Sequence, residues 1–426
     1  MMLNRLNKDS VNAFLNARKA KRFTLNDPVL ESVQSIIASV AERGDAALKE
    51  WTLKLDGVKL ETFNVAHPAL KAAYDQLDEA LKNALINAKA SIENYHQKQA
   101  YAPLVDIQET MERVQKITPI ETVGIYIPGG TARYPSSVLM NAIPAQVAGV
   151  KRIIMVTPPH PEGIDPSVLA AAYLCGVEEV YQIGGAQAIA ALALGTSSIP
   201  SVDKIVGPGN IYVATAKQQL SSMVGIDHFA GPSEVLIIAD DSVDPRWIAA
   251  DLMAQAEHDP KAQAIVISED EWVLDAVDQT LQTEVDQRQR SDIIKASLQD
   301  FGAAIHLAGD AMYDVINQIA PEHLEICTKD PKKHLPFIKN AGSIFVGPYT
   351  PEAIGDYIAG PNHTLPTSGT ARYASGLSTY DFLKRTSIVT FKKAAFEAVY
   401  DDVVRIADQE QLDAHAYSMR IRKETV

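Results

Sequence analysis

Three stretches of this chain bring together side chains able to hold a cation and to move protons. In DLMAQAEHDP, Gln255 and His258 stand three residues apart on an expected helix, near enough to share one face and one ion, while Glu257 points elsewhere. An ordinary polar helix end with a hydrogen-bonded histidine explains that fragment as simply, and the stronger zinc signature HExxH does not occur. In IAPEHLEI, Glu322 and His323 follow Pro321, a residue favoured in the first turn of a helix, where acidic side chains are favoured as well. The glutamate is then either a cap or half of a pair of bases with different proton affinities, suited to a reaction with two separate proton abstractions. TPEAIGDYIAGPNHTLPTSGTARYASGLS, 29 residues poor in large aliphatics, is too long for a simple connector. It supplies Asp356 and His363, an oxygen and an imidazole donor that could join Gln255 and His258 around zinc.

These residues need elements to place them. From about residue 120 short β-branched runs alternate with Ala-rich helical patterns: ETVGIYIPGG, KRIIMVTPP, EEVYQIGG, VDKIVGPGN, SEVLIIAD and AQAIVIS. Parallel α/β units are the natural reading. The turns PGG, GGAQ and GPGN each follow a strand and precede a helix, where open α/β sheets place ligands and helix N-termini offer free N–H groups to anions. GPGNIY lacks the third glycine of GxGxxG, and no acidic residue stands about twenty positions on to hold a ribose, so the usual dinucleotide fingerprint is absent.

Residues 30 to 100 read as helices, with Val33, Ile36, Ile37 and Val40 spaced for one buried face. A second α/β segment runs from about 234 to 350, and two successive α/β regions are compatible with an old duplication, although no fixed-period repeat survives. The stretch from 391 is helical, with Phe396, Val399, Val403 and Ile406 forming an apolar stripe that wants a partner. Cys175 and Cys327 form no CxxC pair; one ends an apolar helix and the other a strand, so both read as buried small hydrophobes.

With 426 residues the chain exceeds what a single core usually fills, so more than one domain is expected. Its net charge of −14 repels nucleic acid and anionic membranes, which makes any phosphate binding local. No apolar run reaches the length of a spanning helix, and the polar N-terminus MMLNRLNKDS has no apolar leader core. A cytoplasmic protein with no nucleic-acid or membrane partner is the expectation.

Taken together, GIYIPGGTARYPSSVLMNAIPA, GGAQAIAALALGT, DKIVGPGN, DHFAGPSE, DLMAQAEHDP, PEHLEI, AGSIFVG and the block from GDYIAGPNHTLPT to SGLSTYDFLKR closely resemble the L-histidinol dehydrogenase family, in family order over about 115 to 390, with a C-terminal LDAH echo. The resemblance implies an α/β fold of two incomplete Rossmann-like domains lacking GxGxxG, with small helical terminal segments. Its boundaries would be 1–22 for an N-terminal helical segment, 23–125 with 236–378 for a split α/β domain, 126–235 for the domain with NAD-contacting turns, and 379–426 for a tail that packs on a partner chain. It implies one Zn2+ per subunit held by Gln255, His258, Asp356 and His415, and NAD+ contacted by Tyr126, Gln187 and Asn210. Substrate contacts would come from Ser233, His323 and Glu410 together with the metal ligands. Glu322 and His323 become the catalytic pair. The activity implied is oxidation of L-histidinol through the aldehyde to L-histidine with two NAD+, by a homodimer with shared sites. His323 would serve the two oxidations and Glu322 would activate water on the aldehyde, so no cysteine adduct is needed. One departure is Gln411, where the family usually has Gly.

Two other classes use some of the same features. A zinc hydrolase with Glu322 as water activator would leave the nucleotide turns and His323 without purpose. A two-lobed small-molecule binding protein would explain the paired α/β regions, but such proteins are usually exported.

Overall fold

The computed structural model describes residues 1–22, 27–99, 101–129, 133–228 and 231–424, with backbone alone at 19–22 and 27. Part of the PGG turn and part of the DHFAGPSE motif therefore lie outside the described residues, as does the expected boundary at 22/23. The chain divides into two compact units, Met1–Gln99 with Glu121–Phe382, and Ala100–Ile120 with Leu383–Val426.

In chain order the strands are β1 (Asn4–Leu6), β2 (Asn64–Val65), β3 (Val105–Ile107), β4 (Met111–Pro119), β5 (Thr122–Tyr126), β6 (Arg152–Thr157), β7 (Glu179–Gln182) and β8 (Lys204–Val206). They continue as β9 (Gly225–Ile226), β10 (Glu234–Ala239), β11 (Gln263–Ser268), β12 (Ala303–His306), β13 (His323–Cys327), β14 (Ser343–Val346) and β15 (Leu383–Phe391). The larger unit holds two six-stranded sheets, ordered β2-β7-β6-β5-β8-β9 and β1-β12-β11-β10-β13-β14. Strands β5 to β9 are mutually parallel, with short β2 antiparallel at the edge. Every pair in the second sheet is parallel. Helices cover both faces of such sheets, and this is why the strands read as near-continuous apolar runs: all six residues of β10 and all five of β13 are buried. The α/β class expected from the alternation is the class observed.

The grouping of segments differs from the expected one. The helix Asp27–Arg43 buries Val33, Ile36 and Val40 in the same core as Ile154, Ile189 and Leu220, which belongs to the first sheet. Residues 27–97 therefore pack with the 122–226 sheet rather than with 236–378, because their apolar stripe meets the helices Gly185–Leu194 and Ile211–Leu220. The extreme N-terminus is not helical alone: β1 pairs in register with β12, Asn4 opposite Ala303, and Val11 is buried beside Ile238 and Ile267.

The smaller unit is an antiparallel ribbon, β15-β4-β3, followed by the helices Lys393–Gln409 and Asp413–Glu424. β15 pairs with β4 from Leu383 opposite Pro119 to Phe391 opposite Met111. The tail expected to be helical from 379 thus has one 3-10 turn, Thr379–Phe382, and then the strand β15 before its helices. On its first helix Val403 and Ile406 are exposed. Among the described residues no helix is long and apolar enough to cross a membrane.

Candidate active site

The catalytic candidates gather at the amino edge of the second sheet. Glu322 and His323 open β13, and Ser233 immediately precedes β10, the neighbouring strand, with Val235 opposite His323. Pro321 thus leads into a strand and not into a helix turn as its neighbours suggested; HLEIC is buried throughout between β10 and β14, and that burial overrides the local helix-start signal.

The backbone of one residue, Glu234, holds both candidate bases. The Glu234 N–H donates to Glu322 Oε2 at 2.9 Å, and the Glu234 carbonyl lies 3.1 Å from His323 Nδ1. A carbonyl can only accept, so Nδ1 carries the proton and the lone pair of His323 sits on Nε2. Burial pulls the imidazole down to about 4, so it is neutral at pH 7 and able to accept a proton. Burial pushes Glu322 well above the usual carboxylate range, opposed by the Glu234 N–H and the Ser233 hydroxyl. The Glu234 side chain is itself anchored: Arg18 Nη2 stands 2.6 Å from its Oε1, with both side chains buried.

The cation candidates lie alongside. The helix Pro245–Ala256 ends before Asp259-Pro260, so Gln255 occupies its last turn while His258 lies just beyond, its N–H 3.3 Å from the Gln255 carbonyl. They adjoin one another, though not on one helical face. Asp356 stands on a short helix, Glu352–Tyr357, inside the segment expected as a long loop. Gly355 allows that helix to approach β14, since a Cβ there would lie 2.4 Å from the Phe345 ring. His258, Glu352 and Asp356 each bring a ligand atom within 4.8 Å of the others. Fully buried Gln255 sets its amide against Glu352, 2.9 and 3.0 Å from the two carboxyl oxygens, and 3.3 Å from His323 Nδ1. A cavity of about 200 Å³ is lined by His323, Asp356 and His363 together with Phe345 and Asn362. His363 is held through Nδ1 to the Asp356 carbonyl at 3.0 Å.

Sequence reasoning missed the acids behind this site. Glu352 is buried and raised well above the carboxylate range, first by burial and then by the charge of Asp356. Glu325, in the middle of β13, is likewise raised and hydrogen-bonded with Asp251, itself held up to about 6 by burial. Glu325 also accepts the Glu352 N–H at 2.7 Å. Acids crowded together and resisting ionisation mark a place where positive charge is expected to bind. The signal available in sequence was a carboxylate inside an otherwise apolar strand, LEIC, and one four residues before Asp356.

The dinucleotide candidates gather at the carboxyl edge of the first sheet. Tyr126 ends β5, Gln187 lies in the first turn of the helix after β7, and Asn210 caps the helix after β8, its Oδ1 accepting from the N–H groups of Tyr212 and Val213 at 3.0 and 3.2 Å. The Gly185 N–H donates to the Tyr126 hydroxyl at 3.1 Å. Gln187 is fully buried, and neither its amide nitrogen nor its oxygen finds a partner among the described residues. β5 and β8 flank the point where the strand order reverses, the place where such sheets bind nucleotides.

The two halves together match a known family. The model of the histidinol dehydrogenase family matches residues 19–423. This chain belongs to the histidinol dehydrogenase family. It is 49% identical to the histidinol dehydrogenase of Listeria monocytogenes over 97% of this chain and 98% of that protein. With the histidinol dehydrogenase of Lactiplantibacillus plantarum it shares 47% identity over 96% of each chain. Among solved structures, the histidinol dehydrogenase of Elizabethkingia anophelis superposes with a TM-score of 0.92 at 33% identity, covering 100% of this chain and 98% of that one.

The remaining members of the expected site belong to the smaller unit. Glu410 ends the helix Lys393–Gln409, and His415 lies in the first turn of the next; both are exposed in this chain. Between them Gln411 adopts φ +59°, the left-handed conformation that favours glycine. Cys175 and Cys327 are buried free thiols, and burial pushes both up, Cys175 to about 12, so neither suits nucleophilic use.

Proposed function

We propose that this protein is a zinc- and NAD-dependent histidinol dehydrogenase that oxidises L-histidinol through L-histidinaldehyde to L-histidine with two NAD+ in turn, the last steps of histidine biosynthesis. The observation that carries the reading is the backbone of Glu234, which holds two bases of different character side by side, one of them, His323, lining a cavity with Asp356 beside a cluster of cation ligands. A single-step hydrolase needs only one of them.

The donors fit zinc: an imidazole, an amide oxygen and carboxylates form a mixed N/O set, and raised acids leave the region ready for positive charge. Gln255, His258 and Asp356 would hold the ion together with His415 of the partner subunit. The unpartnered amide of Gln187 fits a polar ligand such as NAD+, beside Tyr126 and Asn210. When bound, zinc anchors the amino and imidazole nitrogens of the substrate, and NAD+ accepts one hydride in each oxidation.

The chain's own residues do the proton work. His323 Nε2 takes the alcohol proton as the first hydride leaves, and the resulting imidazolium is steadied at Nδ1 by the Glu234 carbonyl and by Glu352, 3.6 Å away. The His323 imidazolium releases its proton to solvent, and Glu322 then takes a proton from the water whose oxygen bonds to the aldehyde carbon. His323 accepts the hydroxyl proton of that hydrate as the second hydride leaves, giving the carboxylate. Ser233 and the partner's Glu410 hold the substrate. Purified protein with zinc, histidinol and excess NAD+ is expected to form two NADH per substrate consumed; absence of turnover refutes the reading.

The exposed Val403 and Ile406 on the tail helix support a homodimer in which each tail completes its neighbour's site. His323→Ala and His415→Ala homodimers should each be nearly inactive. Mixing them puts both defects in one site of a hybrid and leaves the other intact, so free exchange restores about a quarter of wild-type activity. No recovery in verified hybrids shows that His415 serves its own chain.

A further inference from the structure

We propose that Lys217 and Asp227 form a buried clamp that holds the Gly207–Asn210 turn in the shape the dinucleotide needs, making both positioning residues of the cofactor site. The inference rests on the NAD reading above. Lys217 lies on the helix Ile211–Leu220 and Asp227 follows β9; each side chain is only 2% exposed. Lys217 Nζ donates to the Gly207 carbonyl at 2.5 Å and to Asp227 Oδ1 at 2.7 Å, while the Gly207 N–H donates to Asp227 Oδ2 at 2.7 Å. A single ion pair therefore satisfies both backbone polar atoms of one glycine.

That glycine is under constraint. It adopts φ +112°, and a Cβ on it would lie 2.2 Å from the Tyr126 carbonyl oxygen, so the turn is pressed directly against the end of β5. Three residues on, Asn210 starts the helix that carries Lys217. Gly207, Tyr126 and Asn210 thus share one rigid assembly tied down from beneath. A buried ion pair adds little stability over apolar side chains of similar size. An apolar pair, however, leaves the Gly207 N–H and carbonyl without partners and the turn free to shift. The pair supplies the rigidity that GxGxxG provides in other nucleotide turns, and GPGN lacks that pattern.

The test compares wild type with Lys217→Met/Asp227→Leu, which replaces the whole pair, and with Asp227→Asn, which keeps one acceptor. Single removal of Lys217 is avoided because it strands a buried carboxylate, and since Asp227→Asn in turn leaves a buried ammonium without its counter-charge, its folding is verified by its melting transition. NADH affinity is read by fluorescence titration, alongside zinc content, KM for each substrate and amide exchange at Gly207. The double variant should fold, keep zinc and the KM for histidinol, lose protection at Gly207, and bind NADH at least about tenfold more weakly with a matching rise in KM for NAD+. Asp227→Asn should fall between. Wild-type NADH affinity in either folded variant overturns the clamp alone; wild-type protein that binds no dinucleotide overturns the cofactor reading, and the clamp's role with it.

Discussion

The two sheets of the larger unit share one topology and use opposite edges. Leaving aside the short edge strands, β7-β6-β5-β8-β9 and β12-β11-β10-β13-β14 both run third, second, first, fourth, fifth. The first sheet gathers Tyr126, Gln187 and Asn210 at its carboxyl edge, where the helices Gly185–Leu194 and Ile211–Leu220 begin. The second gathers Ser233, Glu322 and His323 at its amino edge, where the helix Pro245–Ala256 ends in Gln255. Helix starts carry partial positive charge and free N–H groups, which suit an anionic diphosphate; a helix end carries partial negative charge, which suits a cation. Identical strand order has therefore been given complementary electrostatics by the choice of edge, and in the function proposed above each half would meet one reactant of the hydride transfer.

Metal removal should divide the halves most sharply. A strong chelator is expected to abolish turnover and histidinol binding, because the ligands around Glu352 lose the cation that offsets their crowded charge, and added zinc should restore both. NADH binding at the other edge should survive. Full activity in verified metal-free protein would contradict the ligand assignment, and parallel loss of NADH affinity would show that the halves are not separable.

Within the amino-edge half, the two bases should differ in kind. His323→Ala is expected to slow both oxidations by about a thousandfold, whereas Glu322→Gln should slow only aldehyde oxidation, by about a hundredfold, since only that half-reaction needs an activated water. Rates with histidinol and with histidinal, measured separately, decide the matter. Equal losses in both would refute the division of labour between two groups held by the backbone of Glu234.

Local pattern made much of this legible. Every β-branched run named from sequence became a parallel strand, because strands covered on both faces read as apolar throughout. The turns GGAQ and GPGN lie at the carboxyl edge as expected. Tertiary choices were not legible. Nothing local says that Asp27–Arg43 packs on the first sheet, or that Asn4–Leu6 lengthens the second. The PEHLEI segment carries a helix-start signal that burial between two strands overrides. Nothing local ties Glu234, Glu325 and Glu352 to one site, since their partners lie as far away as Arg18 and Asp251.

The acids also sharpen the comparison at its weakest end. Glu322 and Glu325, buried in the amino-edge half, accept hydrogen bonds from backbone N–H groups, whereas Asp56, in the half proposed to take the dinucleotide, has a buried oxygen, Oδ2, with no partner among the described residues. Asp56 is the last residue of the helix Asp45–Asp56, at the negative end of the helix dipole. Burial raises it from 3.8 to about 6. A raised carboxyl favours the folded state relative to its charged form below the unfolded value, and that advantage is lost as pH climbs through about 6. Asp56→Asn should therefore be neutral near pH 4 and stabilising at pH 8, by about 1 kcal/mol once solvent around the partly exposed group is allowed for, or roughly 2 °C in Tm. Its activity should match wild type, unlike that of any acid variant at the amino edge. A variant that melts lower at pH 8 than at pH 4, relative to wild type at each pH, would mean that the Asp56 charge is compensated, and the contrast between the acids of the two halves would fail.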